Sequence, residues 1–285
     1  MNWMVFHLVS GDAFFTGVVL LVTGALASLW PGSILNRSVV LASLLGLIAV
    51  ILSTTALPYW TYAVAGVVTL AWLSSSYVRK WRRWTAIACA AVWLMAALVE
   101  LPYHITPTLS PVLERSITVV GDSVTAGVDA DETSVTWPRV LARQRGVEVQ
   151  DISRMGETAA SALKAVRSHV VRSPIVIVEI GGNDLLGPTS AADFARDLDA
   201  LLRNLTAPDR QIVMFELPLP PFCHEYGRAQ RLIANKYKVK LIPRRIFLSV
   251  IADSAATLDS IHLSPAGHQH MADTVWRLLQ SAYSK

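Results

Sequence analysis

The sequence predicts an α/β domain built on a parallel sheet of about five strands, preceded by an all-α bundle of four transmembrane helices. Three observations carry this expectation. Charge is distributed very unevenly between the two parts of the chain, four long apolar runs fill the first part, and in the second short runs rich in β-branched residues alternate with helix-patterned stretches.

At 285 residues the chain is long enough for two domains, and its composition divides it into a helical region over 1–103, a linker over 104–115 and a domain over 116–285. The first region carries only Asp12, Arg37, Arg79, Lys80, Arg82, Arg83 and Glu100 as charged side chains, yet holds seven of the nine tryptophans. The net charge of +4 therefore comes mostly from five basic residues set against two acidic ones in that region. The second region has no basic stripe interleaved with aromatics, which excludes a nucleic-acid partner. Two cysteines, Cys89 in an apolar run and Cys223 in the polar half, make neither a disulfide framework nor a thiolate metal cage. Cys223 reads as a small buried apolar residue.

The apolar runs cover 13–30, 39–57, 60–77 and 84–101. A helix rises about 1.5 Å per residue and the hydrocarbon core is about 30 Å thick, so each run is just long enough to span. Trp30, Tyr59, Trp60, Trp81, Trp84 and Tyr103 stand near the expected interfaces, as amphipathic rings prefer. No basic stretch precedes the first run and three more follow it, so it reads as a retained span and not as a cleaved leader. Arg79, Lys80, Arg82 and Arg83 place the loop between the third and fourth runs in the cytoplasm. The fourth span then delivers Tyr103 and all that follows to the outside, which predicts a multi-pass protein of the plasma or inner membrane with a periplasmic or extracellular domain. No charged side chain falls near mid-bilayer, so the bundle reads as an anchor and not as a pump or transporter. Its small residues Gly24, Ala25, Ala27, Gly46, Ala63, Ala65 and Gly66 allow close helix packing, within the bundle or against a protein partner.

Pro107 and Pro111 mark the linker. Beyond it, strands are expected at 117–120, 147–152, 175–180, 211–216 and 239–242, several of them continuously apolar. Strands of that kind are covered on both faces by helices, which implies a parallel sheet in a layered sandwich. Helices are expected at 137–145, 158–171, 191–205, 225–236 and 265–282. In such folds the chemistry collects at the carboxyl ends of the strands. There the chain places Gly121-Asp122-Ser123 after the first strand, Gly156 after the second and Gly181-Gly182-Asn183-Asp184 after the third, with Asp259 and His262 just before the last helix.

A serine hydroxyl attacks an acyl carbon only when a base removes its proton and a third group orients that base. Ser123, His262 and Asp259 supply those three types. Gly121 lets the chain turn sharply out of the strand, so that Ser123 opens a helix with its amide free to donate to an oxyanion; Gly156 offers a second backbone donor and the Asn183 amide a third. Taken singly, each has a simpler role as a helix cap, a turn or a surface residue. Their order and joint location point to catalysis.

The motifs Gly-Asp-Ser-Val-Thr-Ala-Gly (121 to 127), Ser-Arg-Met-Gly-Glu-Thr (153 to 158), Gly-Gly-Asn-Asp-Leu-Leu (181 to 186) and Asp-Ser-Ile-His (259 to 262) together resemble those of the SGNH hydrolase superfamily, the GDSL-like esterases and lipases. The resemblance covers residues 116–281. It implies a flavodoxin-like three-layer fold and hydrolysis without metal or cofactor. It further implies Ser123 as nucleophile, His262 as base, Asp259 as its orienter, and Ser123, Gly156 and Asn183 as the oxyanion hole. Asp151 and Ser153 stand where members of the family often carry an asparagine before the glycine.

Other chemistries fit less well. His268 and His270 are two apart on a helix and point to different faces, so they make no metal pair. Asp122 and Asp184 follow different strands and read as capping groups, not as a glycosidase pair. Thr125 replaces the second glycine of a Gly-x-Ser-x-Gly elbow, which disfavours the α/β-hydrolase fold. The expected activity is hydrolysis of a carboxylic ester, a lipid acyl or lysophospholipid ester or a glycan O-acetyl group, with Leu185, Leu186, Leu217, Leu219 and Phe222 as candidate lining of an acyl groove. An acyltransferase with the same triad and an inactive scaffold of the same fold are the alternatives.

Overall fold

The structure is a computed structural model that describes residues 2–30, 33–75, 81–128, 135–252, 256–259 and 262–283. Arg79 and Lys80 of the basic loop, Ser76 and Tyr77 at the end of the third apolar run, and Ser260 and Ile261 of the last motif lie outside the described residues. The chain divides into two compact units, one of 105–218 with 225–285 and the other of 2–104 with 219–224.

The first unit is an α/β sandwich on a five-stranded sheet in the order β2-β1-β3-β4-β5. Its strands are β1 (Ser116–Gly121), β2 (Glu148–Asp151), β3 (Ile175–Glu179), β4 (Gln211–Phe215) and β5 (Lys240–Ile242), and every pairing is parallel. All five residues of β3 are buried, as its unbroken run of Ile and Val requires of a strand covered on both faces. Side chains alternate across the sheet. Ile117, Val119, Ile175, Ile177, Val213 and Phe215 form one core with Trp137, Leu141, Phe247, Met271 and Val275. Those partners come from α7 (Trp137–Arg145), α12 (Arg244–Ile251) and α13 (Pro265–Tyr283), which pack together. The opposite layer contains α8 (Ala159–Arg167), opened by a reciprocal cap between Thr158 and Ser161, and α10 (Ala191–Leu205), opened by Ser190. α11 (His224–Lys236) joins α10 through Lys236 and Asp199.

Several expected boundaries moved. The helix expected over 158–171 stops at Arg167, where Ser168 turns its hydroxyl back onto the Ala165 carbonyl. β2 and β5 are shorter at their ends than expected, because Val147 and Val239 are buried but lie outside the ladder. α12 was not expected; its apolar positions Phe247, Leu248 and Val250 are buried behind Pro243, which caps its start.

The helical unit contains α1 (Trp3–Val9), α2 (Asp12–Ala27), α3 (Ser33–Leu52), α4 (Tyr59–Ser74) and α5 (Arg82–Glu100), the last continued by a 3-10 turn over Leu101–His104. Among the described residues, one helical stretch, Arg82–His104, is long and apolar enough to cross a membrane alone, and α1 with α2 passes the same test as a pair bent by 84°. The helix over 3–9 was not expected. α2 and α3 meet at Gly17 and Gly46, where an added side chain at Gly17 would lie 2.7 Å from the Gly46 carbonyl oxygen. Gly66, also expected at a helix contact, faces open space. Trp72 donates to Ser28 at 3.2 Å and Trp93 to Thr69 at 2.9 Å inside the bundle. Glu100 is buried at the end of α5 with His104 3.4 Å away.

Candidate active site

Ser123 opens the four-residue helix α6 (Ser123–Ala126) at the carboxyl end of β1. Asp122 caps that helix by accepting the Val124 amide at 2.9 Å, so the short Asp-Ser step out of the strand fixes the serine rotationally. The part played by Gly121 differs from the expected sharp turn. Its backbone is ordinary, but a β-carbon there would lie 2.5 Å from Thr125 Oγ1, so glycine is what allows the helix to fold back over the strand end.

The structure brings Ser123, His262 and Asp259 into one line. His262 Nε2 lies 3.1 Å from Ser123 Oγ, and its Nδ1 lies 2.6 Å from Asp259 Oδ2. Asp259 Oδ1 also accepts the His262 amide at 2.9 Å. This double grip explains the spacing: a carboxylate three residues before a histidine can hold both the backbone and the ring of that histidine. The loop that carries the pair is tied by Leu258 N–H donating to the His262 carbonyl at 2.8 Å and by a bridge between Thr257 and Leu263. The Asp259 side chain is 58% exposed, so water shares the task of holding its charge.

On the other side of Ser123, two loops approach. Arg154 N–H donates to the Gly121 carbonyl at 3.1 Å and anchors the turn that contains Gly156. Gly156 adopts φ +74°, the left-handed region that glycine alone enters without strain, and nothing stands within 4 Å of where its side chain would be. Asn183 lies in α9 (Gly182–Leu186), a short helix where only a turn was expected. Its amide donates to the Glu157 carbonyl at 3.0 Å and to Asp122 Oδ2 at 3.4 Å, which joins the Gly156 turn to the end of β3. Among the described residues the Ser123 and Gly156 amides donate to no protein group. The amides of Ser123 and Gly156 and the Asn183 side chain, held by Glu157 and Asp122, thus stand on the serine helix and the two loops tied to it, and the serine hydroxyl touches an imidazole. Such a set can stabilise an oxyanion formed by attack on an acyl carbon.

Asp122, Asp184 and Glu179 make a buried acidic floor. Asp184 Oδ2 accepts the Ala159 amide at 2.9 Å and so supports the start of α8. Burial pushes the Asp184 carboxyl above its usual range, and does the same to Asp122. Glu179 was not singled out in the sequence, because a Glu that ends an apolar strand carries no motif of its own. Among the other candidates, His268 is buried and accepts the Trp137 amide on Nδ1 at 3.2 Å, which accounts for it structurally. No group of three His, Cys, Asp or Glu placed to hold a metal occurs among the described residues. Cys223 is half-buried, not fully buried as expected of a core residue. Of the apolar set expected near an acyl group, Leu217 and Leu219 are buried, whereas Leu186 and Phe222 are exposed at 67% and 71%.

The sequence profile of the GDSL-like Lipase/Acylhydrolase family matches residues 119–270. The chain belongs to this family. GDSL-like membership makes it a serine hydrolase of ester bonds, and the match contains every residue of the line and donors just described. It leaves the helices of residues 2–104 outside. The GDSL-like part is similar to Esterase TesA from Pseudomonas aeruginosa, with 25% identity over 180 residues that cover 58% of this chain and 88% of TesA. The crystal structure of TesA aligns with a TM-score of 0.50 at 25% identity, over 58% of this chain and 98% of that one. The psychrotrophic esterase EstA from Pseudoalteromonas sp. aligns with a TM-score of 0.52 at 18% identity, over 59% of this chain and 97% of that one, a likeness of fold.

Proposed function

We propose that this chain is a membrane-anchored esterase whose hydrolase domain lies outside the cytoplasm and cleaves carboxylic esters of lipids or acylated glycans through an acyl-enzyme on Ser123. The observation that carries the chemistry is the unbroken hydrogen-bonded line from Ser123 through His262 to Asp259. Ser123 Oγ attacks the ester carbon as its proton passes to His262 Nε2, and Asp259 supports the imidazolium through Nδ1. The carbonyl oxygen gains the charge and is met by the amides of Ser123 and Gly156 and by Asn183. Collapse expels the alcohol, which takes the proton from His262. Water then enters, gives a proton to His262 and attacks the acyl carbon; the released Ser123 oxygen recovers that proton as the acid departs.

The membrane part of the proposal draws on the distribution of side chains in the helical unit. Val40, Leu44, Val67, Leu70, Leu94 and Leu98 are exposed, while Ser28, Ser43, Thr69 and Ser75 are buried. Apolar surface outside and hydroxyls inside is the reverse of a water-soluble bundle and suits lipid as the surrounding medium. The basic cluster at Arg82 and Arg83 with its neighbours in the sequence favours an outward-facing hydrolase domain.

The test is labelling of the full chain with a fluorophosphonate, followed by turnover of esters that differ in acyl length. Labelling that Ser123→Ala abolishes, with hydrolysis of at least one series, supports the reading. A folded protein that neither labels nor hydrolyses any activated ester refutes it.

A further inference from the structure

The chain between β4 and α11 leaves the carboxyl end of the sheet, the end that bears Ser123, and no step of the reaction above uses it. Yet Leu219–His224 belongs to the compact unit of the helices. Pro218, Pro220 and Pro221 fix φ at about −65° at three positions, so the segment is stiff. The Cys223 amide donates to the Pro220 carbonyl at 3.3 Å and closes a turn in which Phe222 stands at φ +70°. A bulky side chain is disfavoured in that left-handed region, so the turn keeps its shape only because its surroundings impose it.

Among the helices, His224 Nε2 donates to the Ser53 carbonyl at 2.9 Å, and the His224 ring meets the Tyr62 ring edge-on at 6.4 Å between centroids. That acceptor sits in a fixed place. Ser53, Thr54 and Thr55 are fully buried, the Ser53 and Thr55 hydroxyls lie 2.7 Å apart, and the Thr54 hydroxyl donates to the Val9 carbonyl at 3.0 Å. The Tyr62 hydroxyl donates to the Thr55 carbonyl at 2.8 Å. In the hydrolase unit, the residues that flank the segment grip α9 at both ends. Leu217 lies against Gly181 at its start, where an added β-carbon would come 2.8 Å from the leucine side chain. Tyr226 donates its hydroxyl to the Thr189 carbonyl just past its end. Asn183 lies between these two grips.

We infer that His224 is a positioning residue for ester hydrolysis: held on the Ser53 carbonyl, it fixes the segment 217–224 and, through Leu217 and Tyr226, the place of α9 and its Asn183 amide. The helices thereby take part in turnover as well as in anchoring. The inference rests on the esterase reading with Asn183 as an oxyanion donor.

The test uses the full chain in detergent micelles with p-nitrophenyl acetate, each rate being expressed per Ser123 that a fluorophosphonate labels. His224→Phe keeps an aromatic ring and loses the donor. It is expected to lower kcat about fivefold, as loss of one hydrogen bond allows, with KM nearly unchanged. His224→Gln, whose amide can reach the same carbonyl, is expected to stay within about twofold of the unaltered protein. Tyr62→Ala, a change among the helices, is expected to act like His224→Phe, and either variant suffices if the other does not fold. In an Asn183→Ala background neither lowers kcat further, because the group that they place is gone. A merely structural role for His224 lowers the thermal midpoint and leaves kcat per labelled Ser123 unchanged, and that result overturns the inference. A loss of equal size with and without Asn183 overturns it too, and so does a Gln variant as impaired as the Phe variant. Absence of both labelling and hydrolysis in the unaltered protein is a different failure, that of the esterase reading, and it takes the inference with it.

Discussion

Thr125 Oγ1 donates to Glu179 Oε2 at 2.9 Å, and this bond fastens the helix that carries Ser123 to the end of β3. The Asp122 amide reaches the same Glu179 oxygen at 3.4 Å, and Trp137 Nε1 donates to the Thr125 hydroxyl at 3.2 Å. Burial pushes the Glu179 carboxyl well above its usual range, and the neighbouring Asp122 pushes it further in the same direction. Asp122, which neighbours Glu179, holds Val124 and Asn183 with its own oxygens.

Because burial and the neighbouring Asp122 both favour the neutral form of Glu179, Glu179→Gln is expected to keep turnover within a few-fold of the unaltered protein and to leave its thermal midpoint close to unchanged. Glu179→Ala removes the acceptor of a buried hydroxyl and leaves a cavity. Its cost is about 2 to 4 kcal/mol, with turnover per folded molecule lowered as α6 loosens. Thermal midpoint and turnover measured on the same samples decide the matter. A Gln variant as impaired as the Ala variant shows that an ionised Glu179 is needed.

β3 was legible because Ile175, Val176, Ile177 and Val178 leave no polar face, which only a strand between two helical layers accommodates. The Ser123, Asp259 and His262 set was legible because a short spacing dictates local geometry: Asp259 holds the amide and the ring of His262 from three residues away. α12 was not legible, since Arg244–Ile251 is eight residues long and rich in apolar groups that suit a strand equally well. The role of Glu179 arises from packing between elements distant in the chain, and no local pattern announces it.

His268 gives the hydrolase unit a pH dependence. Its pKa is lowered from 6.5 to about 4 because burial disfavours the charged ring. Between those values the unfolded chain binds a proton that the folded chain does not, so this contribution to stability is present above the unfolded value and is lost as pH falls toward 4. Glu179, Asp122 and Asp184, whose carboxyls burial raises, act with the opposite sign. His268→Asn retains a ring-position acceptor for the Trp137 amide and removes the titrating group. The thermal midpoint of the variant is expected to fall less than that of the unaltered protein between pH 7 and 5; parallel curves contradict this account.

The surroundings of the helical unit can be tested by charge. Val67, in the middle of α4, and Leu44, in α3, are exposed at 67% and 55%. Against lipid, a lysine near the middle of a span costs about 2.5 to 3.5 kcal/mol of insertion. Against water, a lysine at an exposed position changes stability by about 0.5 kcal/mol or less. Val67→Lys and Leu44→Lys are expected to lower the yield of chain in the membrane fraction severalfold. Undiminished yield with normal turnover places these faces in water.

Asn183 does two things at once, and the variants can separate them. Its amide bonds to the Glu157 carbonyl at 3.0 Å, which ties the Gly156 turn to α9, and to Asp122 Oδ2 at 3.4 Å, on the residue next to Ser123. As structure alone, loss of that bond costs about 1 kcal/mol and leaves turnover per folded molecule nearly unchanged. As an oxyanion donor, its loss costs about 2.7 to 4 kcal/mol in the transition state, or roughly 100- to 1,000-fold in kcat. Asn183→Ala is expected to show both effects: a modest fall in thermal midpoint and a large fall in kcat, with fluorophosphonate labelling slowed but still present. Ser123→Ala removes the nucleophile and abolishes labelling altogether, while its midpoint stays close to that of the unaltered protein. The labelling rate therefore distinguishes a missing donor from a missing nucleophile, and the midpoint distinguishes either from a loosened loop. An Asn183→Ala protein with a lowered midpoint and unaltered kcat would assign this side chain to the fold alone and leave the oxyanion to the amides of Ser123 and Gly156.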